Sequence, residues 1–115
     1  MAWPTELAVD KERRTLKIGF DDGRSFALPA ELLRVYSPSA EVQGHSPDQR
    51  VLVRGKHAVK ILRLDPVGTY AVKVVFDDGH DTGLFTWTYL RELGEHADER
   101  WQAYLTELKT KGLSH

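Results

Sequence analysis

Apolar and polar residues alternate in two separated stretches of the chain, and the two stretches have the same outline. Leu16-Lys17-Ile18-Gly19-Phe20-Asp21-Asp22-Gly23 recurs as Val72-Lys73-Val74-Val75-Phe76-Asp77-Asp78-Gly79. Alternation with period two predicts a strand with one buried face. The closing Asp-Gly predicts a hairpin, because glycine supplies the positive φ of the turn and aspartate tolerates the left-handed region. After the first copy, Arg24 to Leu28 returns as a strand and Pro29 to Arg34 starts a helix, where proline is tolerated in the first turn. After the second, His80 to Leu84 returns and Thr86 to Leu93 forms a helix, with Thr86 as its N-cap and Gly94 as its stop.

The flanking pattern completes an α+β architecture. Thr5 to Val9 alternates as an opening strand, and the polar Asp10 to Arg14 turns the chain into the Leu16 strand. Val59 to Leu64 is a further strand, joined through a turn at Asp65-Pro66-Val67-Gly68 to the strand Tyr70 to Phe76. Lys60, Arg63 and Lys73 interrupt these apolar runs, which favours sheets with one solvated face. In the C-terminal segment, about residues 96–111, Ala97, Trp101, Tyr104, Leu105 and Leu108 fall at helical spacing. Asp98 and Glu99 sit near its start and Lys109 and Lys111 near its end, as the helix dipole prefers. The expected fold is thus a small, mostly antiparallel sheet with hairpins, a short mid-chain helix and two C-terminal helices, in one domain spanning 1–115. Ser37 to Gln49, with Pro38, Gly44 and Pro47, has no period and is the segment where function is expected.

Composition narrows the chemistry. The chain of 115 residues has no cysteine, which removes disulfides, thiolate metal sites and cysteine nucleophiles together. Sixteen basic and seventeen acidic side chains leave a net charge of −1, so no whole-molecule field steers it to nucleic acid or anionic lipid. The N-terminus lacks a secretory pattern, and no run approaches the ~20 apolar residues of a membrane span. A cytoplasmic location with no membrane partner is expected.

Five histidines, at positions 45, 57, 80, 96 and 115, are the first candidates for acid/base or metal chemistry. None forms the i,i+4 pair of a helical zinc site. His96-Ala97-Asp98 matches the start of a two-histidine, one-carboxylate iron triad, but only His115 follows it, and a chance match is the simpler reading. His80-Asp81, beside Asp77 and Asp78, gathers oxygen donors without calcium-loop spacing, and a solvated hairpin explains it as well. The serines lie in no nucleophile elbow. Arg50, Arg54, Lys56, His57, Lys60 and Arg63 form a basic stretch free of acids. It lacks aromatic rings to stack bases, so nucleic acid is disfavoured as a partner.

Three ordered blocks carry a family resemblance: Phe20-Asp21-Asp22-Gly23; Leu32-Leu33-Arg34-Val35-Tyr36-Ser37-Pro38-Ser39-Ala40-Glu41; and Phe76-Asp77-Asp78-Gly79-His80 followed by Trp87-Thr88-Tyr89-Leu90. Over about residues 5–93 the chain resembles the γ-butyrobetaine hydroxylase-like N-terminal domain, long catalogued as a domain of unknown function. In the carnitine-synthesis oxygenases that domain precedes an iron and 2-oxoglutarate barrel. There it binds a structural zinc through cysteines whose positions fall here on Ser37, Ser39 and Val42, and a histidine that falls on His80. The resemblance therefore implies one surviving ligand of four. It implies no hydroxylase activity, since no catalytic barrel accompanies the domain. A similar segment is fused to ATPases of iron–sulfur cluster assembly, which implies an accessory role.

The resulting expectation is a non-catalytic module that binds an unidentified protein partner through Ser37 to Gln49 and the turn Asp77 to Asp81. Its candidate contacts are Arg34, Tyr36, His45, His80 and Trp87; the competing reading places Tyr36 and Trp87 in the core. No cofactor is expected, and the alternative is zinc or iron held by His80 with His45.

Overall fold

The computed structural model describes residues 3–38, 58–81 and 83–112. Among these residues six strands form two three-stranded antiparallel sheets, ordered β1-β2-β3 and β4-β5-β6. The first sheet comprises β1 (Pro4–Val9), β2 (Thr15–Phe20) and β3 (Ser25–Pro29), and leads into the short helix α1 (Ala30–Val35). The second comprises β4 (Ile61–Val67), β5 (Ala71–Phe76) and β6 (Gly83–Thr86), and leads into α2 (Trp87–Glu95) and α3 (Ala97–Thr110).

The sequence echo is the visible part of a duplicated βββα unit. Each first strand slips register at its start, between Pro4 and Glu6 and between Ile61 and Arg63. Each hairpin turn places glycine at positive φ, 86° at Gly23 and 90° at Gly79. The second aspartate of each turn accepts the N–H two residues on: Asp22 from Arg24 and Asp78 from His80, both at 3.1 Å. The first aspartate accepts a backbone N–H from the preceding edge, Trp3 in one unit and Lys60 in the other. The chain enters the helices alike, Ala30 N–H donating to the Arg14 carbonyl and Trp87 N–H to that of Tyr70. Superposing these bonds makes Phe26 the counterpart of Gly83, because Ile18 faces Phe26 and Val74 faces Gly83 across equivalent ladders.

One apolar cluster draws on both units, including Leu16, Ile18, Leu28, Leu33, Ile61, Val74, Phe85, Leu90, Tyr104 and Leu108. The predicted stripe of α3 lies against it, with Tyr104 and Leu108 buried and Ala97, Trp101 and Leu105 partly so. No helix among the described residues is long and apolar enough to cross a membrane.

Three sequence expectations need correction. The turn expected at Asp65 to Gly68 is strand as far as Val67, with Pro66 opposite Val72. Proline is tolerated because β4 is an edge strand, where its missing N–H need not serve the ladder; the turn falls on Gly68 to Tyr70, with Gly68 at φ 54°. Gly94 does not stop α2, which runs to Glu95. Its lack of a side chain serves packing instead: a Cβ there would stand 2.5 Å from the Phe26 ring. The second return strand starts at Gly83 rather than His80, because this unit has one more residue between turn and strand than the first.

Candidate functional site

The two units differ most in what fills the space between hairpin and opposing helix. In the first, Phe26 packs edge-on to Phe20 with ring centroids 6.1 Å apart. Its ring sits on Gly94, and the Arg91 guanidinium lies over both phenyl groups. In the second, the place of Phe26 is taken by Gly83 and the place of Gly94 by Ser37. An imidazole stands where the first unit has a phenyl: His80 lies 5.9 Å from Phe76, the counterpart of Phe20. Ser37 Oγ is 2.9 Å from His80 Nε2, and both residues are buried, at 0% and 4% exposure. Gly83 makes room for this pair, since a Cβ on it would come within 2.4 Å of Ser37 Oγ.

Each helix reaches across to the other unit's turn with an arginine at equivalent positions. Arg34 of α1 donates from Nε to Asp78 Oδ2 at 2.8 Å, and Arg91 of α2 donates from Nη2 to Asp22 Oδ2 at 2.7 Å. The Arg34 pair is the better shielded, with side chains 13% and 16% exposed against 21% and 41%. Asp78 thereby joins Arg34 to the backbone of His80. The Arg91 guanidinium holds the Asp22 and Glu95 carboxyls below their ordinary range, chiefly by direct hydrogen bonds.

The structure brings Arg34, His80 and Ser37 to one place and packs Tyr36 and Trp87 on the core. Tyr36 is buried in the core cluster, its hydroxyl donating to the Arg100 carbonyl at 2.9 Å and its own carbonyl accepting from Tyr89. Trp87 packs partly on the core and donates from its indole to the Thr69 carbonyl at 2.8 Å. His45, Ser39, Val42, most of the loop to Gln49, and Arg50, Arg54, Lys56 and His57 lie outside the described residues. Of the basic stretch that remains, Arg63 binds both oxygens of Asp65. His96 caps the junction of α2 and α3 and lies 3.5 Å from Glu99, while His115 lies outside the described residues.

A hydroxyl on an imidazole is the first contact of a hydrolytic triad, but such a nucleophile must reach its substrate, and Ser37 is fully buried. Among the described residues no three His, Asp or Glu side chains gather as metal ligands. A closed zinc site needs about four N or S donors; His80 with a serine hydroxyl does not fit that set. Sequence reading named His80 and the turn that holds Asp78, but missed Gly83 and the pairing of Asp78 with Arg34, which depend on contacts across the duplication.

The family model described as gamma-butyrobetaine hydroxylase-like, N-terminal, matches residues 7–91. The chain belongs to this family. Its fold is shared with two proteins of known NMR solution structure. One is 48% identical with a TM-score of 0.85, covering 100% of this chain and 86% of that one. The other is 49% identical with a TM-score of 0.84, covering 99% and 90%. A crystal structure of a protein of unknown function from Acidithiobacillus ferrooxidans, of the DUF971 family, is 38% identical with a TM-score of 0.66, covering 79% of this chain and 91% of that one. No curated protein matches the chain.

Proposed function

We propose that this family domain is a non-catalytic accessory module that binds a protein partner through the face built by α1 and the second hairpin turn, around Arg34, Ser37, Asp78 and His80. The observation that supports it is the departure from internal symmetry. Where the first unit closes with a phenyl on a glycine, the second holds a buried serine–histidine pair, beside an ion pair better shielded than its counterpart in the first. Buried polar groups cost more desolvation than an apolar filling of similar size, so such exchanges are expected at functional sites rather than at structural ones. Both groups adjoin Ser37 and Pro38, from which the chain enters the segment expected to carry function. Arg34→Ala is expected to keep the circular dichroism spectrum while losing a specific interaction partner in pull-down. Retention of that partner would refute the proposed face.

A second reading, a metal-binding accessory domain connected with iron-dependent oxygenases or iron–sulfur cluster assembly, is favoured by the place of His80 at the family's histidine position. Elemental analysis of protein expressed with zinc and iron separates the two. Near-stoichiometric metal that His80→Ala abolishes supports the metal reading; metal-free folded protein leaves partner binding.

A further inference from the structure

We propose that the cavity between Trp3, Tyr70 and Trp87 receives an arginine side chain from a partner protein. This site is separate from the Arg34 and His80 face and follows from a different break in the duplication. The corner where β4 of the second unit begins is closed by Arg13 of the first. The Ile61 N–H donates to the Arg13 carbonyl at 2.8 Å, and Arg13 Nη1 donates to the carbonyls of Leu62 at 2.7 Å and Ile61 at 3.4 Å. The internal symmetry carries Ile61 onto Pro4, Leu62 onto Thr5 and Arg13 onto Thr69. Proline has no N–H to close the corner, and the Thr69 carbonyl accepts from the Trp87 indole instead. Threonine is too short to supply what the Arg13 guanidinium supplies.

The second corner therefore stays open, as a cavity of about 240 Å³ lined by Trp3, Tyr70, Thr86, Trp87 and Thr88. Trp3 and Tyr70 are 48% and 52% exposed, unlike the other large aromatics. With the Trp87 N–H already engaged, its indole offers mainly a π face. Asp21 places a carboxylate beside the backbone of Trp3, its Oδ1 accepting the Trp3 N–H at 3.2 Å. Aromatic faces with a nearby carboxylate suit a guanidinium, which is planar, weakly hydrated and able to stack, better than a strongly hydrated ammonium. The volume falls below the roughly 300 Å³ at which metabolite pockets begin, which suits a side-chain head group.

The test is an NMR titration of the full chain with acetyl-Gly-Arg-Gly-amide, following the indole N–H signals of Trp3 and Trp87. Saturable shifts of both are expected, with binding at least about tenfold weaker when citrulline, the uncharged analogue, replaces arginine. Trp3→Ala, which removes a half-exposed ring, and Thr69→Arg, which restores the side chain the first unit carries, are each expected to abolish the shifts. Absence of saturable shifts, equal binding of citrulline, tighter binding of tetramethylammonium or of a proline peptide, or binding that survives both variants would overturn the proposal.

Discussion

A methyl group on Gly94 would stand 2.5 Å from Phe26 Cγ, and the ring it meets is itself held between Phe20 and Arg91. Neither side yields freely, so Gly94→Ala is expected to lower stability by about 1–3 kcal/mol, the usual cost of overpacking a core. A urea midpoint equal to that of the parent would show that the ring swings aside. Tyr104 makes a second residue-scale prediction. Burial first, and then the Glu31 carboxylate, push its ionisation up from 10.0 to about 12. The unfolded chain ionises first, so this contribution to stability is complete below pH 10 and is lost as the pH rises towards 12. Tyr104→Phe is expected to flatten the alkaline decline of the melting temperature, and an unchanged slope would assign that decline elsewhere.

The two equivalent helices show how local chemistry sets an element's strength. Thr86 caps α2 by accepting the Tyr89 N–H at 3.1 Å, whereas Pro29 at the same place before α1 offers no side-chain acceptor. Removing an N-cap costs about 1 kcal/mol. Thr86→Ala should therefore lower stability by that amount and speed hydrogen exchange at Tyr89, while protection in the centre of β5 falls only with the global change. Exchange at Tyr89 that stays slow would mean tertiary packing, not the cap, holds the helix start. α1 is only six residues long, too short to persist alone, and owes its place to the burial of Leu32, Leu33 and Val35.

Across the whole molecule the units are interlocked. Gly94 of α2 seats Phe26 of the first sheet, Ser37 after α1 fills the gap over Gly83 of the second, and the arginines cross in both directions. Neither unit completes its packing without the other. Equilibrium unfolding should therefore be one transition, coincident by tryptophan fluorescence and far-ultraviolet circular dichroism; two resolved steps would show independent halves. The ion pairs of Arg91, one crossing to Asp22 and one to Glu95 within α2, also shape the acid limb. Asp22 and Glu95 ionise below their ordinary values of 3.8 and 4.5 because Arg91 favours their charged forms. Their stabilisation is present above those values and is lost as the pH falls through the lowered ones. Arg91→Met should shallow the acid decline, and an unaltered acid limb would show that solvent screens both pairs.

The hairpins, the cap at Thr86 and the amphipathic face of α3 were legible in the chain, because each depends on residues within a few positions of one another. Period-two alternation, Asp-Gly and helical spacing are local rules, and the family followed from blocks written in order. Local reading failed where a residue's role is set by a distant neighbour. Pro66 looked like a turn because its edge-strand position could not be seen, and Gly94 looked like a stop because Phe26 is far away in sequence. The candidate site belongs to the same class. His80 and Arg34 were visible as residues, but their partners Ser37 and Asp78, the space left by Gly83 and the open corner at Trp3 exist only once the two units pack. The repeat itself is written in the sequence; where its symmetry breaks in three dimensions is decided by tertiary packing, because symmetry is a relation between contacts rather than between letters.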